Sequence, residues 1–94
     1  MTKDTRYRTN PVVSFGNEED GAVLFNPDSD ETAIINVSGR MLWHYLQSPH
    51  TVAEMARYLR EQYPDATLEQ VSQDVDRFVK ELATVFLLEN TADD

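Results

Sequence analysis

His44 and His50 are the only histidines in the chain. Six positions apart across the end of a predicted helix, they do not share a helical face as a metal pair at four-residue spacing would. His44 reads as a helix-surface residue and His50 as part of a solvated turn. The carboxylates of Asp28, Asp30 and Glu31 fall at nearly alternate positions in one loop, the arrangement that a hard cation such as calcium requires. The glycine at the sixth loop position and the distal glutamate of a calcium-binding helix–loop–helix are absent, so an acidic turn is the simpler reading. Ser14, Ser29, Ser38, Ser48 and Ser72 lie in no glycine-flanked nucleophile elbow. Gly16, Gly21 and Gly39 are isolated and form no phosphate-cradling loop. There is no cysteine, hence no thiolate nucleophile, disulfide or cysteine-ligated metal. The residues point away from an enzyme, and no cofactor is expected.

Ninety-four residues suffice for one domain with a modest core. With 8 Lys+Arg against 17 Asp+Glu, the formal net charge is -9, and a field of that sign repels nucleic-acid backbones and anionic lipid surfaces. No apolar run approaches the roughly 20 residues that span a bilayer, and the N-terminus lacks a signal-peptide core. A cytoplasmic protein with neither nucleic-acid nor membrane partners is expected.

The elements follow from periodicity and punctuation. Residues 1–11, with Lys3, Arg6 and Arg8 ahead of Pro11, read as a flexible arm, and residues 90–94 as an acidic tail. Between them, 12–89 form the domain. "VVSFGN" and "GAVLFN" are short β-branched and aromatic runs around an acidic turn, the pattern of a hairpin. "NPD" at 26–28 places Pro27 where a type I turn takes it, and "TAIINV" is a third strand. Ser38 is read as the cap of a first helix carrying Leu42, Trp43 and Leu46. Thr51 with Glu54 and Thr67 with Gln70 are spaced as capping boxes for two further helices, separated by Pro64. The last helix sets Leu68, Val71, Val75, Phe78, Leu82 and Val85 at steps of three and four. The class is α+β: a three-stranded antiparallel sheet followed by a three-helix bundle, winged-helix-like in composition. The third helix is too acidic to read DNA: Glu69, Asp74, Asp76 and Glu81 outnumber Arg77 and Lys80.

Ile34 and Ile35 are adjacent on the third strand, so one faces each side of the sheet, yet a single bundle covers one face. Either the helices wrap the strand end and bury both, or an added peptide strand covers the surplus apolar surface.

"GAVLFNPDSDETAIINVSGRMLWHYL", then "HTVAEMARYLREQYP" and "VSQDVDRFVKELATVFLLE", resemble the PqqD-like family over residues 11–89. These are small recognition elements for the leader segments of ribosomally synthesised, post-translationally modified peptides. "INVSG" looks like the family's Leu-Asn-x-(Thr/Ser)-(Gly/Ala) pattern, with Ile35 in place of leucine. The resemblance implies a non-catalytic adaptor that takes a precursor's leader peptide as an antiparallel strand beside the third strand, in the groove made with the third helix. It also implies a partner enzyme, often a radical S-adenosylmethionine (SAM) protein. The matching strand residues are Thr32, Ala33, Ile34, Ile35 and Asn36; those on the helix are Asp74, Val75, Arg77, Phe78 and Glu81. The adaptor would be a monomer or a homodimer. The competing reading is a winged-helix-like interaction module that dimerises through the third-strand edge.

Overall fold

The structure, a computed structural model, describes residues 5–84 and 88–91. Val85 and Phe86, Lys3 of the arm and residues 92–94 of the tail lie outside that range. The chain runs β1 (Arg6–Thr9), β2 (Ser14–Glu18), β3 (Gly21–Asn26), β4 (Glu31–Asn36), α1 (Val37–Tyr45), β5 (His50–Thr51), α2 (Val52–Gln62), α3 (Leu68–Thr84) and β6 (Leu88–Thr91). β2, β3 and β4 form the expected antiparallel meander, in that spatial order. The three helices follow it, so the α+β class stands.

Residues 6–9 correct one expectation. In place of a loose arm they form β1, the central strand of a second sheet ordered β5-β1-β6. Tyr7 pairs with His50, and Arg6 with both Thr51 and Thr91. The tail is corrected likewise, since Asn90 and Thr91 belong to β6. Tyr7 packs against the core, and the Thr9 amide donates to the Leu46 carbonyl at 3.0 Å, which ties this sheet to the end of α1.

Among the described residues, the helices cover one face of the meander. Ala22, Leu24 and Ile35 point inward onto Leu42, Trp43 and Leu46 after the first turn of α1, Met55 and Leu59 of α2, and Val71, Val75, Phe78, Val79 and Leu82 of α3. Leu68 stays outside this core and is exposed. It opens α3, where the chain has not yet reached the sheet. Gly21 is required at the hairpin. Its φ is +153°, and a Cβ there would lie 1.8 Å from the Ile35 carbonyl oxygen, so no other residue fits without moving β4. Arg40 holds the same hairpin from α1, donating to the Glu18 carbonyl at 2.7 Å and the Gly21 carbonyl at 3.0 Å. At the other turn, buried Asn26 accepts from the Asp28 amide through Oδ1 and from the Asp30 amide through its carbonyl, while Asp30 takes φ 60°.

Both capping boxes form. Thr51 and Glu54 exchange bonds of 2.9 and 3.1 Å, and Thr67 and Gln70 exchange bonds of 3.0 and 3.1 Å. Ser38, by contrast, is not the cap of α1. Asn36 is, its Oδ1 accepting from the Gly39 amide at 2.9 Å while the Ser38 hydroxyl donates to the same oxygen. The helix thus starts two residues earlier than a serine cap would place it. His50 is also more structured than a solvated turn would make it. Its ring stacks on Tyr45 at 3.9 Å, Tyr45 stacks on Tyr58 at 4.2 Å, and Nδ1 lies 3.1 Å from Glu54.

Glu54 therefore joins three parts of the structure, because Arg6 of β1 also reaches it at 3.3 Å. The Thr51 amide bond, seconded by His50 and Arg6, holds its carboxyl below the usual value of 4.5 against a smaller opposing effect of burial. A depressed carboxyl contributes stability above its unfolded pKa and loses it as pH falls through the folded one. Glu54→Gln, which keeps the cap geometry, is expected to melt below wild type at pH 7 and to converge with it as pH falls through the depressed carboxyl's titration, read by melting temperature across pH. Gly21→Ala is expected to lose at least about 1–3 kcal/mol in denaturant unfolding, from backbone strain alone.

Candidate functional site

β4 is an edge strand: it pairs only with β3, and its other edge has no strand partner among the described residues. An edge strand presents unpaired amides and carbonyls, the elements of strand addition. α3 passes along the inner side of that edge. Between the two lie a hollow of about 200 Å³ centred on Ile35, Gly39 and Phe78, and another of about 480 Å³ toward Thr32, Lys80 and Leu82.

These hollows gather the residues singled out in the sequence. Ile34, Ile35, Asn36, Asp74, Arg77, Phe78 and Glu81 line the first, and Thr32 and Ala33 join the second. Val75 does not reach either; it is fully buried in the core, because in the α3 periodicity it points beneath the sheet and not along its edge. Ser38, Gly39, Leu42, Lys80 and Leu82 also line the groove and were not singled out. The three-and-four spacing of α3 marks its buried stripe, which includes Leu82; Lys80 lies off that stripe and meets the groove beside Glu81, opposite Thr32–Ile35 of β4.

The two isoleucines separate. Ile35 is buried, and Ile34 is 82% exposed. The helices therefore do not wrap the strand end to bury both. The cause is strand alternation: Ile34 pairs with Val23 on the outer face, and Ile35 with Ala22 on the inner. On the outer face Phe25 is also partly exposed. The strand-to-helix junction explains how close the groove walls stand. A methyl on Gly39 would meet Ile35 Cβ at 3.0 Å and Phe78 Cδ1 at 3.6 Å, so glycine lets α1 begin directly against β4. Asn36 contributes main chain to the edge, since its side chain is occupied as the cap.

The charges along this stretch of α3 are mostly satisfied among themselves. Arg77 lies 3.6 Å from Asp74, and Lys80 3.2 Å from Asp76, all four well exposed. Glu81 has no ion pair with a described residue and borders both hollows. No group of three or more histidine, cysteine or acidic side chains among the described residues is arranged to hold a metal. No helix of the described residues is long and apolar enough to cross a membrane.

A winged-helix-like α+β domain with an open strand edge set over a helix is thus what the fold and groove define. By sequence, the family described as coenzyme PQQ synthesis protein D (PqqD) matches residues 21–88, and the chain belongs to that family. Solved structures share the fold at low identity. TbiB1, in complex with the TbiA(beta) leader peptide, is 22% identical and superposes with a TM-score of 0.75 over 92% of this chain and 99% of its own. Lasso peptide synthetase B1, complexed with the leader peptide, is 22% identical with a TM-score of 0.71, over 88% and 96%. The PqqD truncation of Methylobacterium extorquens PqqCD, described as a functional, stand-alone RiPP recognition element, is 22% identical with a TM-score of 0.72, over 95% and 93%. No curated protein matches the chain.

The facing of the two isoleucines sets an expected outcome. Ile34→Ser should leave unfolding free energy within about 0.5 kcal/mol of wild type, as exposed substitutions do. Ile35→Ala should cost about 2–5 kcal/mol, as loss of a core aliphatic does. Denaturant titration of the two variants measures both.

Proposed function

We propose that this protein is a non-catalytic adaptor that binds the leader segment of a ribosomally synthesised precursor peptide and presents the remainder to a modifying enzyme. The observation that carries the reading is the open β4 edge, facing α3 across a groove whose walls contain Thr32–Asn36, Asp74, Arg77, Phe78 and Glu81. Family membership supports it, as do structural neighbours solved with leader peptides bound.

On this reading the leader adds as an antiparallel strand beside β4. Main-chain bonds to the edge supply affinity with little regard to sequence, and alternate side chains of the peptide supply selectivity. Side chains on the inner face enter the hollows against Phe78 and Leu42. Those on the outer face lie beside Ile34, whose exposed surface they cover. Ordering a flexible peptide offsets much of the contact energy, so affinity is expected to be micromolar, about -8 kcal/mol. Chemistry then belongs to the partner. A radical SAM enzyme is the proposed one, and it would hold its own cluster, since this chain has no cysteine to contribute.

The test is an amide chemical-shift titration of the labelled protein with the leader of a short precursor encoded beside its gene. Perturbation concentrated on Thr32–Asn36 and the groove side of α3 is expected, with Ile34→Ser weakening binding by up to about five-fold through loss of one cross-strand pair. A dimer in solution whose β4 amides are protected without peptide, and unmoved by it, would instead establish the edge-paired interaction module.

A further inference from the structure

The groove continues past the end of β4. The hollow at Ile35 shares Asn36, Ser38 and Asp74 with a third, larger one of about 840 Å³, which opens between the β2–β3 turn, the start of α1 and the α2–α3 connection. Its apolar lining is Val37, Leu59, Pro64, Ala66 and Val71, of which Leu59 and Val71 are core residues whose edges reach it. Three carboxylates from three separate elements border it: Asp20 from the hairpin turn, Asp65 from the α2–α3 connection and Asp74 from α3. No lysine, arginine or histidine lines it. Asp74 is shared with Arg77, while Asp20 and Asp65 make no ion pair with any described residue. Tyr63 adds a half-exposed aromatic ring.

An apolar surface bordered by acids is complementary to a long aliphatic stem that ends in a cation, and an aromatic ring beside it favours the same occupant. The direction of the chain says where such a side chain would come from. β4 runs from Glu31 to Asn36. A peptide antiparallel to it therefore has its N-terminal flank at the Asn36 end, directed at this hollow, and its C-terminal flank at the Glu31 end. We infer that the hollow beyond Asn36 is a subsite for a lysine or arginine on the leader segment just N-terminal to the added strand, with the stem on the apolar lining and the charge among Asp20, Asp65 and Asp74.

This inference rests on the strand-addition reading, and the experiment separates the two. A displayed library of random linear peptides is selected on the full chain, and the tightest peptide is synthesised and titrated into labelled protein. The expected peptide perturbs Thr32–Asn36 and carries Lys or Arg upstream of an alternating apolar stretch. Replacing that residue by norleucine should weaken binding about five-fold, the scale of a partly exposed ion pair. Against an Asp20→Asn/Asp65→Asn protein the same replacement should change affinity less than two-fold, because of the three carboxylates only Asp74, already paired with Arg77, remains. Both aspartates are exposed, and asparagine keeps the turn preceding Gly21, so melting temperature should hold. Selected peptides that perturb β4 yet lack an upstream base, or a norleucine effect equal in both proteins, overturn the subsite while leaving strand addition standing. Peptides that bind without perturbing β4 overturn both.

Discussion

The direct passage from β4 into α1 is the constraint on which the rest of the molecule depends. Asn36 ends the strand and Val37 begins the helix, with no loop between them. Such a junction needs a cap already in the strand, which Asn36 supplies to the Gly39 amide. It also needs a residue with no side chain where the helix meets the strand, which Gly39 supplies against Ile35. Because the chain turns straight under the sheet, no described strand folds back over β4's outer edge. The helices must use the inner face, α3 comes to lie along the edge without pairing to it, and a groove with a hydrogen-bonding wall results.

How much of this was legible depended on whether the signal was local. The capping boxes at Thr51/Glu54 and Thr67/Gln70 are complete within four residues, so both helix starts could be read directly. The meander is likewise local, with β-branched and aromatic runs separated by turns. β1 could not be read this way. "RYRT" has one apolar residue, and it becomes a strand only because β5 and β6, more than forty residues away, bond to both its edges. His50 looked like a turn residue partly for the same reason: Tyr45 and Glu54 lie within five positions of it, but its strand partner Tyr7 comes from β1. Ser38 reads as the cap of α1, yet asparagine is an equally good cap residue and Asn36 takes the role. The nearer of them to the strand prevails, because it closes the first turn directly while the serine hydroxyl bonds to it.

The groove was legible in its strand and only half legible in its helix. Thr32–Asn36 form the edge as a contiguous stretch, so every residue of the stretch contributes main chain wherever its side chain points. On α3 the side facing the groove is a narrow stripe between the buried face and solvent. The residues there are Asp74, Arg77 and Glu81, at spacings of three and four, with Phe78 at the boundary. Val75 belongs to the adjacent buried stripe. One step of about 100° around the helix separates a core residue from a groove residue, and sequence periodicity does not by itself orient the helix about its own axis.

Charge and shape have different parts in such a site. The ion pairs on α3 are exposed and contribute little to stability; if a peptide adds to β4, their effect is mainly on which peptides approach and how fast. On the strand-addition reading, specificity comes from the hollows, because edge bonds are nearly blind to side chains. Direction adds a constraint of its own. If the peptide is antiparallel to β4, its C-terminal flank leaves by Glu31, beside Thr32, Lys80 and Leu82, away from the acidic hollow beyond Asn36. In a precursor the modified segment follows its leader, so that segment emerges at the Glu31 end. On that reading the outer face of the meander, with Phe25 and Ile34 exposed, lies beside the same strand along which the segment would leave.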